Sequence, residues 1–198
     1  MADFNILAWS ALEEEVRLAN ERQRAEGLPP EKRYRSLHAD SALFLYQLVL
    51  ATRAQVAVEV GTSAGYSALW LARACAATGG RVITLERNAA IVDVARGHFA
   101  RAGVADLIDV RVGDARKLLP AVDAGVDVLF LDGDKDEYPA YADGGWAKLR
   151  AGGSVVADNV ISHRERTTPY LEGMLARGDG TTIVLPIGQG LAWTVKTA

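Results

Sequence analysis

Five short apolar runs alternate with stretches of helical periodicity between Val56 and Asp158, and that alternation restricts the fold more than any other feature of the chain. The runs cover residues 56–60, 81–86, 107–112, 126–132 and 153–158. The stretches 67–77, 88–102, 115–119 and 138–149 read as helices between them. Strands separated by helices cannot pair as hairpins; each must cross over and return parallel, giving a sheet covered on both faces. Strands buried on both faces are continuously apolar, as these are. The last two runs, 181–185 and 191–196, are separated only by Pro186-Ile187-Gly188-Gln189-Gly190. That loop is too short for a crossover, so the pair is predicted to be antiparallel. The expected fold class is α/β, a Rossmann-like doubly wound seven-stranded sheet, mostly parallel with a C-terminal antiparallel hairpin. Residues 1–198 are expected to form one domain.

Ahead of the first strand, residues 9–25 read as a Glu/Arg-rich helix with Leu12, Val16 and Ala19 on one face. Leu28-Pro29-Pro30 ends it. Asp40 and Ser41 then offer caps to an apolar helix over 42–51. Residues 161–180 are of mixed polarity, with one helix expected around 169–176. No internal repeat or low-complexity tract interrupts the chain.

Composition excludes several functions. Of the 198 residues, 49% are apolar and 24% charged, the balance of a globular protein. A formal net charge of −3 gives no electrostatic basis for general binding to nucleic acid or an anionic membrane. Cys75 is the single cysteine, so neither an intrachain disulfide nor a cysteine zinc site can form. Residues 1–10 lack the basic region and apolar core of a signal peptide, and no apolar stretch is long enough to span a bilayer. A cytoplasmic enzyme is the expected class.

The chemistry-bearing residues gather at strand ends. The fourth run ends in Asp132, the fifth in Asp158-Asn159, and Lys135 follows Asp132 by three residues. On neighbouring parallel strands the three oxygen-bearing side chains converge at one sheet edge, a donor set for a hard divalent cation such as Mg²⁺. The first run leads into Glu59-Val60-Gly61-Thr62-Ser63-Ala64-Gly65-Tyr66-Ser67. A strand, a glycine turn and a helix N-terminus let backbone approach a ligand closely. Ser63 stands where G-x-G-x-x-G would need glycine, so a nicotinamide dinucleotide loses support. Glu86, ending the second run, is placed to accept hydrogen bonds from ribose hydroxyls. The plainer alternatives are a glycine turn, a helix-capping Glu86, strand-end caps at Asp132, Asp158 and Asn159, and a surface Lys135 paired with Asp132, Asp134 or Asp136.

The Glu-x-Gly-x-x-x-Gly pattern resembles motif I of class I S-adenosylmethionine-dependent methyltransferases. From about Ser36 onward the chain resembles the small cation-dependent O-methyltransferases that include the caffeoyl-CoA and catechol enzymes. The matching pieces are His38-Ala39-Asp40, Val58-Glu59-Val60-Gly61 with Gly65-Tyr66-Ser67, Leu85-Glu86 and Gly113-Asp114-Ala115. They continue with Leu131-Asp132-Gly133-Asp134-Lys135-Asp136-Glu137-Tyr138, Gly152-Gly153, Asp158-Asn159 and Leu185-Pro186-Ile187-Gly188. The resemblance implies a cofactor site of Glu59, Gly61, Thr62, Ser63, Ser67, Glu86, Asp114, Ala115, Asp132 and Asp134 for S-adenosylmethionine. It implies Asp132, Asp158 and Asn159 as ligands of Mg²⁺, Mn²⁺ or Ca²⁺, and Lys135 as the catalytic base. It further implies a phenolic or catechol-like acceptor shaped by about residues 1–40 and 161–180, and a homodimer.

Three histidines and several arginines remain. His38, where the family often has serine, is assigned no role; His163 is a candidate for substrate contact or a solvated loop residue; His98 is expected to be exposed. Trp70, Trp146 and Trp193 read as packing residues, with Trp9 a candidate for an interface or lid. Arg33, Arg164 and Arg166 could meet an acidic acceptor or a CoA phosphate, with ordinary solvated charge the favoured reading. Competing functions are a metal-independent methyltransferase of another acceptor and a non-catalytic S-adenosylmethionine-binding protein.

Overall fold

A computed structural model describes residues 6–29 and 33–198, with residues 6–10 described by backbone alone. The elements are α1 (Ile6–Ala25), α2 (Ala39–Thr52), β1 (Val56–Val60), α3 (Tyr66–Thr78), β2 (Arg81–Glu86), α4 (Ala89–Ala102) and β3 (Ile108–Val112). They continue with α5 (Ala115–Leu118), β4 (Val126–Leu131), α6 (Tyr138–Trp146), β5 (Leu149–Ala157), α7 (Arg164–Leu175), β6 (Gly180–Leu185) and β7 (Leu191–Lys196). The seven strands form one sheet in the order β3-β2-β1-β4-β5-β7-β6. β1 pairs parallel with β2 and β4, β2 with β3, and β4 with β5. β7 lies antiparallel between β5 and β6. The chain winds outward from β1 in one direction, then restarts at β4 in the other, so the carboxyl ends of β1 and β4 flank the topological switch point where such sheets bind ligands.

Strand alternation sorts the core into two layers. Ala57, Val82, Val128, Phe130 and Val156 face helices α1 to α4, meeting Val16, Leu45, Leu69 and Phe99. Val58, Val60, Leu85, Leu129, Leu131 and Val155 face the other way, against Leu119, Tyr138, Trp146, Tyr170 and Met174. All six residues of β4 are buried, including Asp127. That carboxylate accepts the backbone N–H groups of Gln55 (2.7 Å) and Val56 (2.8 Å) and the Arg150 guanidinium. A buried acid is tolerated because three donors meet it.

Several boundaries differ from expectation. β5 starts at Leu149, not 153, because Lys148 O takes the N–H groups of Gly125 and Val126 (both 2.9 Å) and Val126 pairs with Leu149. A register irregularity between Val126 and Val128 absorbs the extra residues, so α6 stops at Trp146. α7 runs through Pro169 rather than beginning there. The Thr168 hydroxyl, donating to Arg164 O at 2.8 Å, supports the turn that precedes the proline. The cap of α2 is His38, whose Nδ1 accepts from Asp40 N at 3.3 Å; Asp40 and Ser41 lie inside the helix. His98 is buried rather than exposed, with Nδ1 2.8 Å from Ala64 O, because α4 turns that face onto the β1–α3 loop. Trp146 and Trp193 pack as expected, their indole N–H groups donating to Asp179 and Ser154. Trp70 packs beside Tyr46, beneath the Arg73 guanidinium. The side chain of Trp9 lies outside the described residues.

Candidate active site

Hydrogen bonds continue the sheet past the strand ends. Gly61 N donates to Leu85 O (2.9 Å), Asp132 N to Val60 O (2.9 Å) and Asp158 N to Leu131 O (3.0 Å). Gly61, Asp132 and Asp158 therefore stand side by side where β1, β4 and β5 end. Gly61 has φ +97°, and a Cβ there would lie 2.6 Å from the Asp132 carbonyl oxygen. No larger residue fits, because backbone rather than a yielding side chain occupies the space. The loop then tightens through Gly65 N to Thr62 O (2.8 Å), and α3 opens at Tyr66 with no side-chain cap on its first turn. Its free N–H groups, with the buried Ser67 hydroxyl in that turn, suit a carboxylate.

Glu86 lies across this loop. Its carboxylate accepts from Ser63 N (3.0 Å) and Asn88 N (2.9 Å), which leaves lone pairs on both oxygens for hydroxyl donors. Gly113 N donates to Glu86 O at 2.8 Å, so Asp114 and Ala115 sit at the next strand end. Asp114 caps α5 by accepting Arg116 N (3.0 Å), and its side-chain bond to the Arg116 guanidinium (2.6 Å) lowers its pKa to about 2. Below the loop, Glu59 is fully buried opposite Thr84 in the β1–β2 register. Thr84 Oγ1 donates to Glu59 Oε2 at 2.5 Å, while Oε1 has no partner. Burial raises the Glu59 pKa to about 8; the Ser67 and Thr84 hydroxyls offset part of that rise, and the charges of Asp132 and Glu86 add to it.

The oxygen cluster sits beside this loop. Asp158 is 2% exposed, and its Oδ1 is buried without a hydrogen-bond partner. Burial, then the neighbouring Asp132 carboxylate, raise its pKa to about 7. Asn159 follows in a left-handed conformation (φ 65°), its Nδ2 donating to Gln189 Oε1 at 2.8 Å. Tyr138, from the start of α6, donates its hydroxyl to Leu131 O (3.0 Å) and Asp158 O (3.2 Å), tying the ends of β4 and β5 together. Lys135 is buried rather than at the surface; Nζ donates to Asp132 Oδ1 (2.6 Å) and Gly133 O (3.1 Å). Among the described residues no three His, Cys, Asp or Glu side chains gather closely enough to hold an ion by themselves. The trio here is two carboxylates and an amide. An unpartnered buried carboxylate oxygen beside a second acid can take up either a proton or a hard cation.

The rim is an ion-pair network. Arg166 of α7 bonds Asp134 (2.6 Å) and Asp136 (2.7 Å); Arg87 reaches Glu137 (3.3 Å) and Asp134 (3.8 Å). Asp134 therefore faces arginines, linking the β4–α6 loop to α7. His163, at the N-terminus of α7, is exposed and lies 2.9 Å from Ser162 Oγ. Its pKa is lowered by partial burial and by the charges of Lys135 and Arg166, with Asp132 acting in the opposite direction.

The O-methyltransferase family profile matches residues 11–170. The chain belongs to the O-methyltransferase family. It is 41% identical over 127 residues to catechol O-methyltransferase of Mycobacterium tuberculosis and 38% identical over 130 residues to that of Niastella koreensis. Each alignment covers 64% of this chain and 57% or 58% of the relative, so the chain spans less than three fifths of the length of these curated relatives. The O-methyltransferase from Bacillus cereus in complex with SAH superposes with a TM-score of 0.81 at 28% identity, covering 94% of this chain and 91% of that one. As an O-methyltransferase fold, the sheet has its two halves meeting at Gly61 and Asp132.

The fold thus gathers Glu59, Gly61, Thr62, Ser63, Ser67, Glu86, Asp114 and Ala115 at the carboxyl ends of β1, β2 and β3, and Asp132, Lys135, Asp158 and Asn159 at those of β4 and β5. Asp134 stands at the rim. Four contributors had no assigned role in the sequence: Thr84, Tyr138, Tyr34 and Gln189. Thr84 had a signal, a polar residue inside an apolar strand. Tyr34, whose carbonyl accepts the Ser63 hydroxyl, and Gln189 act across long sequence separations that leave none.

Proposed function

We propose that this chain is an S-adenosylmethionine-dependent, divalent-cation-dependent O-methyltransferase acting on a hydroxyl of a catechol-like or other vicinal dihydroxy aromatic molecule. The observation that carries the reading is the buried, unpartnered Asp158 Oδ1 next to Asp132 and Asn159, adjoining the glycine loop. Glu86 and Asp132, with Asp158 once it is deprotonated, make the site acidic, which suits the sulfonium and ammonium groups of the cofactor as well as a dication. The SAH complex of the Bacillus cereus relative supports the cofactor assignment.

Glu86 would hold the ribose and the α3 N-terminus with Ser67 the cofactor carboxylate. Asp132, Asp158 and Asn159 would hold the cation, which when bound supplies the positive charge that favours ionisation of a hydroxyl whose free pKa is about 10. Lys135, shielded from bulk water with Nζ 2.6 Å from Asp132 Oδ1, is the residue placed to take the hydroxyl proton. The acceptor oxygen then forms its bond to the methyl carbon as the carbon–sulfur bond breaks, and the electron pair leaves on sulfur. Alignment of the two reactants, not activation of an already cationic donor, is the larger task of the protein.

The reading extends to a single domain over the chain, with the N-terminal segment and residues 161–180 flanking the acceptor, and to a cytoplasmic homodimer. Among the described residues no helix is long and apolar enough to cross a membrane. The test is transfer of labelled methyl from S-adenosylmethionine to a panel of catechols, with and without chelator. Turnover is expected that a chelator abolishes and Mg²⁺ restores, and that Asp158→Ala eliminates without unfolding the protein. Chelator-insensitive turnover would instead support the metal-independent enzyme. Cofactor binding without turnover on any phenol would support a binding protein.

A further inference from the structure

The turn between β6 and β7 reaches the cluster through one side chain. Gln189 Oε1 accepts from Asn159 Nδ2 (2.8 Å) and from Ser162 Oγ (3.0 Å). The turn itself is held by backbone: Ile161 N and Ser162 N donate to Gln189 O (3.3 and 3.1 Å), and Val160 N to Gly190 O (3.0 Å). Gly190 has φ +95°, and a Cβ there would lie 2.6 Å from the Ile161 backbone nitrogen, so only glycine lets the turn close onto the 159–162 loop. Gln189 is therefore placed by main-chain contacts on both sides.

We propose that Gln189 is a positioning residue that sets the orientation of the Asn159 amide, committing its nitrogen to the turn and leaving its oxygen for the cation. This rests on the cation reading above. The two ends of an amide are nearly equal in size, so packing alone does not choose between them; a hydrogen-bond partner must. The oxygen can ligate a hard cation, whereas the N–H₂ end repels it. With the amides reversed, Gln189 would donate to Asn159 Oδ1 and turn Nδ2 toward the carboxylates, a site for an acceptor rather than for a cation. Ser162 Oγ lies 3.0 Å from the same Gln189 oxygen and 2.9 Å from His163 Nδ1, and it favours the cation-competent arrangement when its one hydrogen points to Gln189. Orientation of a ligand by a residue one step removed typically changes metal affinity by about 10- to 100-fold.

A plain staple between turn and loop would make the same contacts, and a double-mutant cycle separates the two. Mn²⁺ affinity is measured by electron paramagnetic resonance on the full chain without cofactor or acceptor, for the native protein, Gln189→Leu, Asn159→Asp and the double variant. Gln189→Leu should weaken Mn²⁺ binding by about 10-fold or more with asparagine at 159. In the Asn159→Asp background the same change should cost less than about 2-fold, since a carboxylate presents oxygen either way round. Gln189→Glu, still an acceptor toward Asn159, should retain native affinity or better. Equal losses in both backgrounds would overturn the proposal and leave a structural staple. No Mn²⁺ binding by the native protein would overturn the cation reading as well. Should Gln189→Leu fail to fold, Gln189→Met, which keeps the side chain's length and removes both amide ends, repeats the cycle with the same two outcomes.

Discussion

Glu59 carries a carboxyl group into the side of the sheet covered by α1 to α4, with Thr84 donating to Oε2 and the Ser67 hydroxyl close by. Its folded pKa, about 8, lies above the ordinary value of 4.5. Between those two values folding takes up a proton, so the unfolded state binds fewer protons and stability falls as pH rises from about 4.5 to about 8, levelling off above. The loss amounts to about 5 kcal/mol at most, since each pH unit crossed with one proton taken up on folding costs about 1.4 kcal/mol. Glu59→Gln mimics the protonated acid, so its midpoint should exceed the native one at pH 8.5 by about 2–4 °C per kcal/mol recovered and match it at pH 4.5. Thermal unfolding followed by circular dichroism at the two pH values checks this; equal gains at both would refute it. Lys135→Met should lower kcat by about 100-fold or more at neutral pH while leaving the KM for the cofactor near native. The deficit should shrink as pH rises and the acceptor ionises unaided, and a native kcat would remove Lys135 from proton transfer.

Between elements, β1 and β4 are joined at both ends by different means. At the carboxyl end the join is Gly61 against the Asp132 carbonyl. At the amino end it is Asp127, which serves two N–H groups at the entry to β1 and the Arg150 guanidinium. Asp127→Ala leaves those donors without an acceptor in a buried position and should cost roughly 3 kcal/mol in urea unfolding, with little effect on cofactor affinity in the folded protein. Gly61→Ala should show the opposite balance, with cofactor binding lost first, because the added methyl displaces the backbone of the pocket itself. The inner strands were legible, since burial on both faces forces continuous apolar runs; the edge strands β3, with Asp109 and Arg111, and β6 lack that burial. The start of β5 was not, because Lys148 O sets it through a cross-strand bond. Nor was the burial of His98, a polar residue in a helix whose neighbours on the same face pack against the β1–α3 loop.

Across the molecule, the proposed cation site would link proton and cation binding. Asp158, with its pKa raised to about 7 by burial and then by Asp132, must lose its proton to serve as a ligand. Mn²⁺ affinity should therefore fall as pH drops below about 7, approaching tenfold per pH unit for a single displaced proton, and level off above. Calorimetry in buffers of differing ionisation heat counts that proton; a pH-independent affinity would mean Asp158 is already ionised or is no ligand. At saturations near 100 times Kd, cation or cofactor should each stabilise the chain by about 2.7 kcal/mol.

The parallel sheet, its antiparallel close and the residue types at its strand ends were all readable in series along the chain. Within a strand or helix, backbone periodicity ties side-chain direction to position, so burial leaves a local pattern. The charge states and partners of the site were not readable that way. Lys135 is buried against Asp132 rather than solvated, Asp158 keeps an oxygen unpartnered, and Asn159 meets a glutamine 30 residues away. Each depends on which strands become neighbours and how closely loops pack on them. Hydrogen bonds between separate elements are set by that packing, and distance along the chain carries no trace of them.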